Sequence, residues 1–497
     1  MAGTGEVATW APGQSLRRTR EEVPDKMARA LDSILDHAVH GLDGSFAGRL
    51  IRPADPDYDE ARAVFNALID KRPALIAQCA TADDVAAALR LGRELDLEIA
   101  VRSGGHSVAG VSLCDDGLVI DVRPMKSIEV DADGRRARVG AGCTWSELDR
   151  ATQEHGLATT GGRVSSTGVS GLTLGGGSGW LERQHGLACD NLISVELVTA
   201  DGARITASED EHPDLFWALH GGGGNFGVAT ALTFRLHPVG PEVLAGLLFF
   251  EPDRGRDLLR LTRDFMVDAP EEFGPALAYL TVPVDEELPA ELHRRFVSAI
   301  ALCYTGAINE GERLIEPFRD LGPIADLVGP MPYADWQCAI DDPPGYRNWW
   351  TAEYLHVVSD EAIDVIHAHS LATPTPTPSM SFIVPWGGAV ARAGEDETPM
   401  TQRDASWVVH PYASVERPDE VEGAIAWARG LREEVRRYAS GGLYLNFVAE
   451  DEGESGVRAA FGEYKYERLA AIKARYDPEN VFRGNHNIKP ALALEAS

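Results

Sequence analysis

The segment "AVRSGGHSVAG" (residues 100–110) sets a histidine, His106, directly behind two glycines at the end of an apolar run, "LEIAV". Glycine reaches positive φ and lets the backbone approach a ligand closely. Consecutive N–H groups on such a turn form a nest for anions. The turn therefore suits phosphate and offers little side-chain chemistry of its own; the imidazole is the exception. Two more glycine-rich stretches follow, "GGRVSSTGVSGLTLGGGSG" (161–179) and "GGGGNFG" (221–227). Linkers do not carry strand-like flanks such as "LEIAV" and "NLISVELV", so three such turns in one region are hard to dismiss as linkers.

A Rossmann fold needs GxGxxG straight after a first strand, with an acid about 20 residues further on. The 100–110 turn lacks that spacing, and "GLTLGGGSGW" follows no apolar strand. A nicotinamide dehydrogenase is disfavoured on that ground. The six cysteines (Cys79, Cys114, Cys143, Cys189, Cys303, Cys338) show no CxxC spacing. They read as buried thiols in a reducing compartment, and no clustered metal ligands accompany them. A formal net charge of −31 disfavours a nucleic-acid partner, which needs a basic surface. Only 6 of the 46 basic residues are lysine. GC-rich codon usage explains that bias; adaptation to high salt, which screens self-repulsion, is the sharper alternative. No run of about 18 apolar residues suggests a membrane span. The paired arginines of "LRRTREE" are followed by "VPDK" instead of an apolar stretch, so no export signal is expected and a cytoplasmic location is.

The elements that must hold these turns alternate strand, helix, strand from about residue 72. Thr81 reads as the N-cap of a helix with acids in its first turn. Thr144 and Glu147 form a capping-box pattern before a second helix. "NLISVELVTADGARITAS" reads as a hairpin turning at Asp201-Gly202. At 497 residues the chain is long enough for two or three domains. Residues 1–46 read as an extension in which Met27, Leu31, Ile34, Leu35 and Val39 fall at amphipathic-helix spacing. Residues 47–240 hold the glycine turns. From 241 to 440 glycine thins and Trp- and Tyr-rich segments alternate with helices. A final segment, 441–497, begins with the strand-like "GGLYLNF".

In order and spacing, "VRSGGHSVAG", "TGVSGLTLGGGSGWLERQHGLACDNL", "HPDLFWALHGGGGNFGV", "YLNF" and "YDPENVFRGNHNIKP" resemble the motifs of berberine-bridge-enzyme-like flavin oxidases. These belong to the vanillyl-alcohol oxidase and p-cresol methylhydroxylase superfamily. The resemblance covers residues from about 50 to 490. It implies an α+β fold: a two-part FAD-binding domain of the p-cresol methylhydroxylase type over 47–240, and an inserted α+β substrate domain over 241–440 whose antiparallel sheet is covered by helices. Residues 441–497 then return to the FAD domain.

The resemblance also implies site residues. The loop of Arg102, Ser103, Gly104, Gly105, His106 and Ser107 would cradle the pyrophosphate of FAD, with His106 joined covalently to the 8α-methyl carbon of the flavin. Relatives with a second link carry a cysteine where Val164 stands here, and Cys143 comes about twenty residues too early, so a single link is expected. Gly168, Val169, Gly171, Gly175, Gly176, Gly177 and Trp180 would line the cofactor, with Asn191, Gly227 and Val228 further along. Thr167 matches a position that gates oxygen. Tyr444 of "YLNF" matches the tyrosine base of alcohol- and carbohydrate-oxidising relatives, and Asn446 and Asn485 would contact flavin.

The implied reaction oxidises a C–H that bears oxygen or nitrogen in an alcohol, sugar or secondary metabolite. Dioxygen would serve as acceptor and give hydrogen peroxide. A flavin dehydrogenase with another acceptor, and a catalytically silent flavoprotein, are the alternatives; the intact Tyr444 and Asn446 argue against the second. Trp349, Trp350, Tyr354, Trp386, Trp407 and His410 are candidate substrate stackers, and Arg403 and His410 candidate anion binders. A small-molecule substrate, no metal, no nucleic acid, no membrane and a monomer or homodimer complete the expectations.

Overall fold

The computed structural model describes residues 46–447, 449 and 453–492. The amphipathic helix expected within residues 1–46 lies outside the described residues. Residues 47–492 are built on three main sheets.

The first sheet contains β1 (Arg49–Ile51), β2 (Leu75–Gln78), β3 (Ile99–Arg102) and β4 (Leu118–Asp121), in the order β1-β2-β4-β3. Strands β2 and β3 run parallel to β4, and β1 is antiparallel to β2. All four residues of β4 are buried, as a strand between two parallel neighbours requires. Helix α1 (Ala82–Glu94) links β2 to β3. Its start is fixed by Thr81, whose Oγ1 accepts from Asp84 N at 3.1 Å while Asp84 Oδ2 accepts from Thr81 N at 3.0 Å. The glycine turn at 103–110 follows β3 at the carboxyl edge of this sheet.

The second sheet is antiparallel, in the order β5-β6-β9-β7-β8, from β5 (Ile128–Asp131), β6 (Arg136–Gly140), β7 (Leu192–Val198), β8 (Arg204–Ser208) and β9 (Val228–Arg235). Gly202 takes φ +83° in the β7–β8 turn, the conformation for which the sequence supplies a glycine. Helix α2 (Trp145–Gln153) starts at the expected capping box, with Thr144 N donating to Glu147 Oε2 at 2.7 Å. The middle glycine segment, including the short helix α3 (Val169–Leu174), lies between α2 and β7.

The third sheet has nine strands. Its main path is β10 (Glu242–Phe250), β12 (Phe296–Tyr304), β11 (Phe273–Thr281), β14 (Met380–Pro385), β15 (Trp407–Val415) and β13 (Arg347–Trp350). Helices α4 (Gly255–Phe265), α5 (Asp360–Ser370) and α6 (Val421–Arg436) cover one face. Leu258, Ile363, Ile366, Leu431 and Val435 from these helices share one core with Leu277, Ile300, Ile383 and Val409 of the sheet. Each such side chain stabilises the fold by about 1.5–3 kcal/mol relative to exposure. Side chains alternate across a strand, so Met380 and Phe382 of β14, and His410 and Tyr412 of β15, point to the face opposite that core.

Helix α7 (Gly453–Tyr476), broken at Gly462, leads back to the glycine turns. Lys473 and Asp477 are both fully buried and pair at 2.8 Å. Lys473 Nζ also donates to Asn225 O and Phe482 O, and Asp477 accepts from Val481 N and Phe482 N. Removing one partner would strand a charge in the interior, at a cost of about 3–5 kcal/mol.

Candidate active site

One long cavity runs between the three glycine turns and ends against the uncovered face of the third sheet. The first two turns touch through their backbones: a Cβ added at Gly104 would lie 2.2 Å from Gly168 N, and one added at Gly168 would lie 2.3 Å from Gly104 N. Ser103 Oγ and Ser170 Oγ both donate to Ala141 O, at 2.7 and 2.9 Å, which fastens the pair of turns to the end of β6. The third turn is held by Asn225. Its Nδ2 donates to Gly222 O and His486 O, and its Oδ1 accepts from Ile488 N.

His106 stands in the cavity wall. Phe65 stacks on its imidazole, with ring centroids 4.3 Å apart and 17° between planes. Nε2 lies 3.1 Å from Ser166 Oγ, and Nδ1 lies 3.4 Å from Thr167 Oγ1. Burial, then the nearby charge of Arg102, push its pKa down to about 4. The ring is therefore neutral at physiological pH and keeps one lone pair available. Asn66, fully buried, ties this loop to β13 of the third sheet. Its Nδ2 donates to Val108 O and Asn348 O, and its Oδ1 accepts from Asn348 N at 2.9 Å.

The walls fit FAD. A Cβ at Gly171 would meet no atom within 4 Å, and one at Gly224 only Asn485 Nδ2 at 3.9 Å, so these glycines border open space inside the cavity. Asn485 Oδ1 is buried without a partner among the described residues, as a group that awaits a ligand hydrogen bond would be.

At the far end the rings of Trp350, Phe382, His410, Tyr412 and Phe447, with Met380 among them, form one wall. Strand register places Tyr412 opposite Trp350 on one side and Met380 on the other, and His410 opposite Phe382. Phe447 stacks on His410 at 4.1 Å and 5°. His410 Nδ1 lies 2.6 Å from Thr351 O, so it donates there. Burial brings its pKa down to about 4. Asp342 also lines this end, and Tyr412 Oη donates to its Oδ2 at 2.7 Å. Burial raises the Asp342 carboxyl above its ordinary range, against the lowering effect of the tyrosine bond. Burial and the facing carboxylate raise the Tyr412 phenol further. The neighbouring Asp341 accepts from Ser165 N and Ser165 Oγ, both at 2.5 Å, and so joins this loop to the middle glycine segment.

Of the residues singled out in the sequence, Ser103, Gly104, Gly105, His106, Ser107, Val164, Thr167, Gly168, Gly171, Gly175, Gly227, Asn446 and Asn485 line the cavity. Cys143 does not; its thiol points at Met125 O and Ser127 O, and burial raises it to about 11. Eight residues expected at the site stand behind its walls. Val169, the first residue of α3, is fully buried. Arg102 donates to Ala61 O and Ala63 O and supports the loop from below. Gly176 and Gly177 take positive φ at a turn, and a Cβ at Gly177 would meet Ala188 Cβ at 2.4 Å. Trp180 packs on Trp336 at 4.8 Å. Asn191 donates to His185 O and Leu187 O and meets His237 Nε2 at 2.6 Å. Val228 is a buried strand residue paired with Val198. Tyr444 is 1% exposed and absent from the lining. Its Oη accepts from Gly177 N and Ser178 N at 2.8 and 2.9 Å, and burial raises its pKa. The hydroxyl braces the glycine backbone, and Asn446 Nδ2 in the cavity wall approaches it at 3.3 Å.

Among the candidate substrate contacts, Trp350 and His410 are in the wall. Trp407 lies in the core under the helices, and Trp349 packs with Trp427. Tyr354 and Trp386 pack on each other. Arg403 is not an anion binder; it is buried in a bidentate pair with Asp190 at 2.9 and 2.5 Å. Phe65, Ser166, Asp342 and Tyr412 carry no recognisable motif. Alternation in "MSFIV" and "VVHPY" was the available signal for the wall, since it sets 380 with 382 and 410 with 412.

The fold and cavity define a flavin-dependent oxidoreductase with a two-part cofactor domain, and the comparisons with known proteins agree. A family profile described as an FAD binding domain matches residues 73–208, and one described as berberine and berberine like matches 443–489. The chain is 32% identical to the (R)-6-hydroxynicotine oxidase of Paenarthrobacter nicotinovorans over 467 residues, covering 90% of this chain and 97% of that one. It is also 32% identical to YgaK, an uncharacterised FAD-linked oxidoreductase of Bacillus subtilis, covering 89% and 97%. The solved 6-hydroxy-D-nicotine oxidase from Arthrobacter nicotinovorans superposes with a TM-score of 0.81 at 31% identity, covering 90% of this chain and 99% of that one. The protein belongs to the berberine-bridge-enzyme-like family of FAD-linked oxidoreductases.

Among the described residues, no helix is long and apolar enough to cross a membrane.

Proposed function

We propose that the protein is an oxidase that carries FAD on a single covalent link through His106 and oxidises a planar, largely apolar substrate at a carbon bearing a hydroxyl or amine. One observation carries this reading: a single cavity holds the His106 imidazole among its glycine turns and the Tyr412–Asp342 pair in its aromatic half. When bound, FAD supplies the two-electron acceptor and passes the electrons on to dioxygen, giving hydrogen peroxide.

The chain's residues divide the remaining work. The glycine N–H groups and Asn485 bind the cofactor's polar half. Trp350, Phe382, His410 and Phe447 stack on and align the substrate ring and keep water out. Tyr412 takes the proton of the substrate O–H or N–H as its own proton passes to Asp342 Oδ2. Aromatic faces dominate this end, with Tyr412 and Asp342 as its hydrogen-bonded pair, which favours a ring with one polar handle over a polyhydroxylated sugar. Thr167, small and beside His106, leaves space for dioxygen. The test is peroxide release under air from a panel of aromatic and alicyclic alcohols and amines, set beside sugars. Turnover that needs a dye and yields no peroxide would move the protein to the dehydrogenases.

A further inference from the structure

We propose that Ser166 is the positioning residue for attachment of the cofactor: it holds His106 in the tautomer protonated on Nε2 and carries that proton to solvent as the link forms. The inference rests on the covalent reading of His106 given above.

The two nitrogens of His106 face different surroundings. Nδ1 points toward Thr167, which lines the cavity. Nε2 points toward Ser166, which is exposed and is not part of the cavity wall. The shorter contact is the one to Ser166, 3.1 Å against 3.4 Å. A neutral imidazole has one N–H and one lone pair, and the hydrogen bond made by one nitrogen sets the role of the other. A donor bond from Nε2 to Ser166 Oγ leaves the lone pair on Nδ1, inside the cavity. The stacked Phe65 ring and the Ala61–Arg102–Ala63 contacts beneath the loop fix the plane of that lone pair.

Attachment forms an N–C bond between Nδ1 and the 8α-methyl carbon and breaks one C–H bond of that methyl group and the Nε2–H bond. Two electrons pass to the isoalloxazine ring and from it to dioxygen, and with the two protons released they account for one hydrogen peroxide. Alkylation at Nδ1 makes the ring a cation until Nε2 is deprotonated. That proton has no outlet through the apolar stacking face of Phe65. Ser166 Oγ accepts it and, being exposed, exchanges it with water. In the linked product the same hydroxyl donates back to the Nε2 lone pair.

The experiment uses the full chain made in flavin-starved cells and then given FAD under air. Samples are quenched in acid over time. Attached flavin is read as fluorescence of the protein band on a denaturing gel, and bound but unattached flavin as that released to the supernatant. The parent, Ser166→Ala, Ser166→Thr and His106→Ala are compared across pH. Ser166→Ala is expected to bind FAD as the parent does but to attach it at least about tenfold more slowly near neutral pH, since positioned proton transfer contributes about that much or more. Its rate should climb with pH, as hydroxide replaces the missing hydroxyl, while the parent's stays flat. Ser166→Thr should restore the parent's rate. Attachment by Ser166→Ala at the parent's rate and with its flat profile overturns the proposal. So does equal slowing in both variants without recovery at high pH, which marks a purely structural role. Should the parent release all its flavin, as His106→Ala is expected to, the covalent reading itself falls and takes this inference with it.

Discussion

Tyr412 Oη donates to Asp342 Oδ2 across 2.7 Å, joining a strand of the third sheet to the loop that also grips the middle glycine segment through Asp341. Asp342→Asn keeps the shape of this pair and removes its base. With an identified substrate, kcat/KM should fall by roughly 10²–10⁴ while FAD content stays unchanged. Tyr444→Phe is the contrasting variant. It removes a brace beneath Gly177 and Ser178, so it should lower the melting temperature and flavin occupancy more than turnover per bound flavin. Steady-state kinetics normalised to flavin separates the two; the reverse pattern would return the base to Tyr444.

The same pair sets the pH dependence. Burial raises the Asp342 carboxyl, and only its ionised form accepts a proton. Activity should therefore be lost as pH falls through a value above the ordinary carboxyl range of about 4. A kcat/KM profile reports that group in the free enzyme. The acidic limb should vanish in Asp342→Asn.

Two glycines predict opposite failures. Gly104 and Gly168 meet backbone to backbone, so Gly104→Ala should destabilise the fold itself. At Gly171 an added methyl meets nothing within 4 Å. Gly171→Ala should melt within about a degree of the parent when both are free of flavin, yet retain FAD at least about tenfold less tightly, because its methyl occupies cofactor space. Thermal melts and flavin titration check both.

Asp149 offers a stability test away from the site. It is 1% exposed, its Oδ2 accepts from Gln337 Nε2 at 2.8 Å, and its Oδ1 and Gln337 Oε1 are unpartnered among the described residues. Burial raises its carboxyl to about 7, against about 3.9 when unfolded. Between those values the folded state holds a proton that the unfolded state lacks, so stability falls as pH rises through the window. The amide of Asp149→Asn satisfies both Gln337 atoms without a charge. It should match the parent near pH 4 and exceed it by about 4 kcal/mol near pH 8, measured by denaturant melts.

Much of the cofactor half was legible because its chemistry is local. A turn that must approach phosphate needs glycine, and a capped helix announces itself with Thr81 or with Thr144 and Glu147. Residues whose roles depend on distant partners were not legible. Tyr444 and Asn191 sit in strong motifs, yet tertiary contacts set Tyr444 Oη against Gly177 N, 267 residues away, and Asn191 Oδ1 against His237, 46 residues away. Arg403 looked like a free cation until the fold set it against Asp190, 213 residues earlier. Tyr412 and Asp342 meet only through the loop that leaves the sheet and returns 70 residues later.

The most direct test of the central claim is acid precipitation of the purified protein beside His106→Ala, with flavin fluorescence read in pellet and supernatant. Flavin that stays in the pellet of the parent and is released by the variant is the predicted result. Release from both, or no flavin in a folded parent, would contradict it.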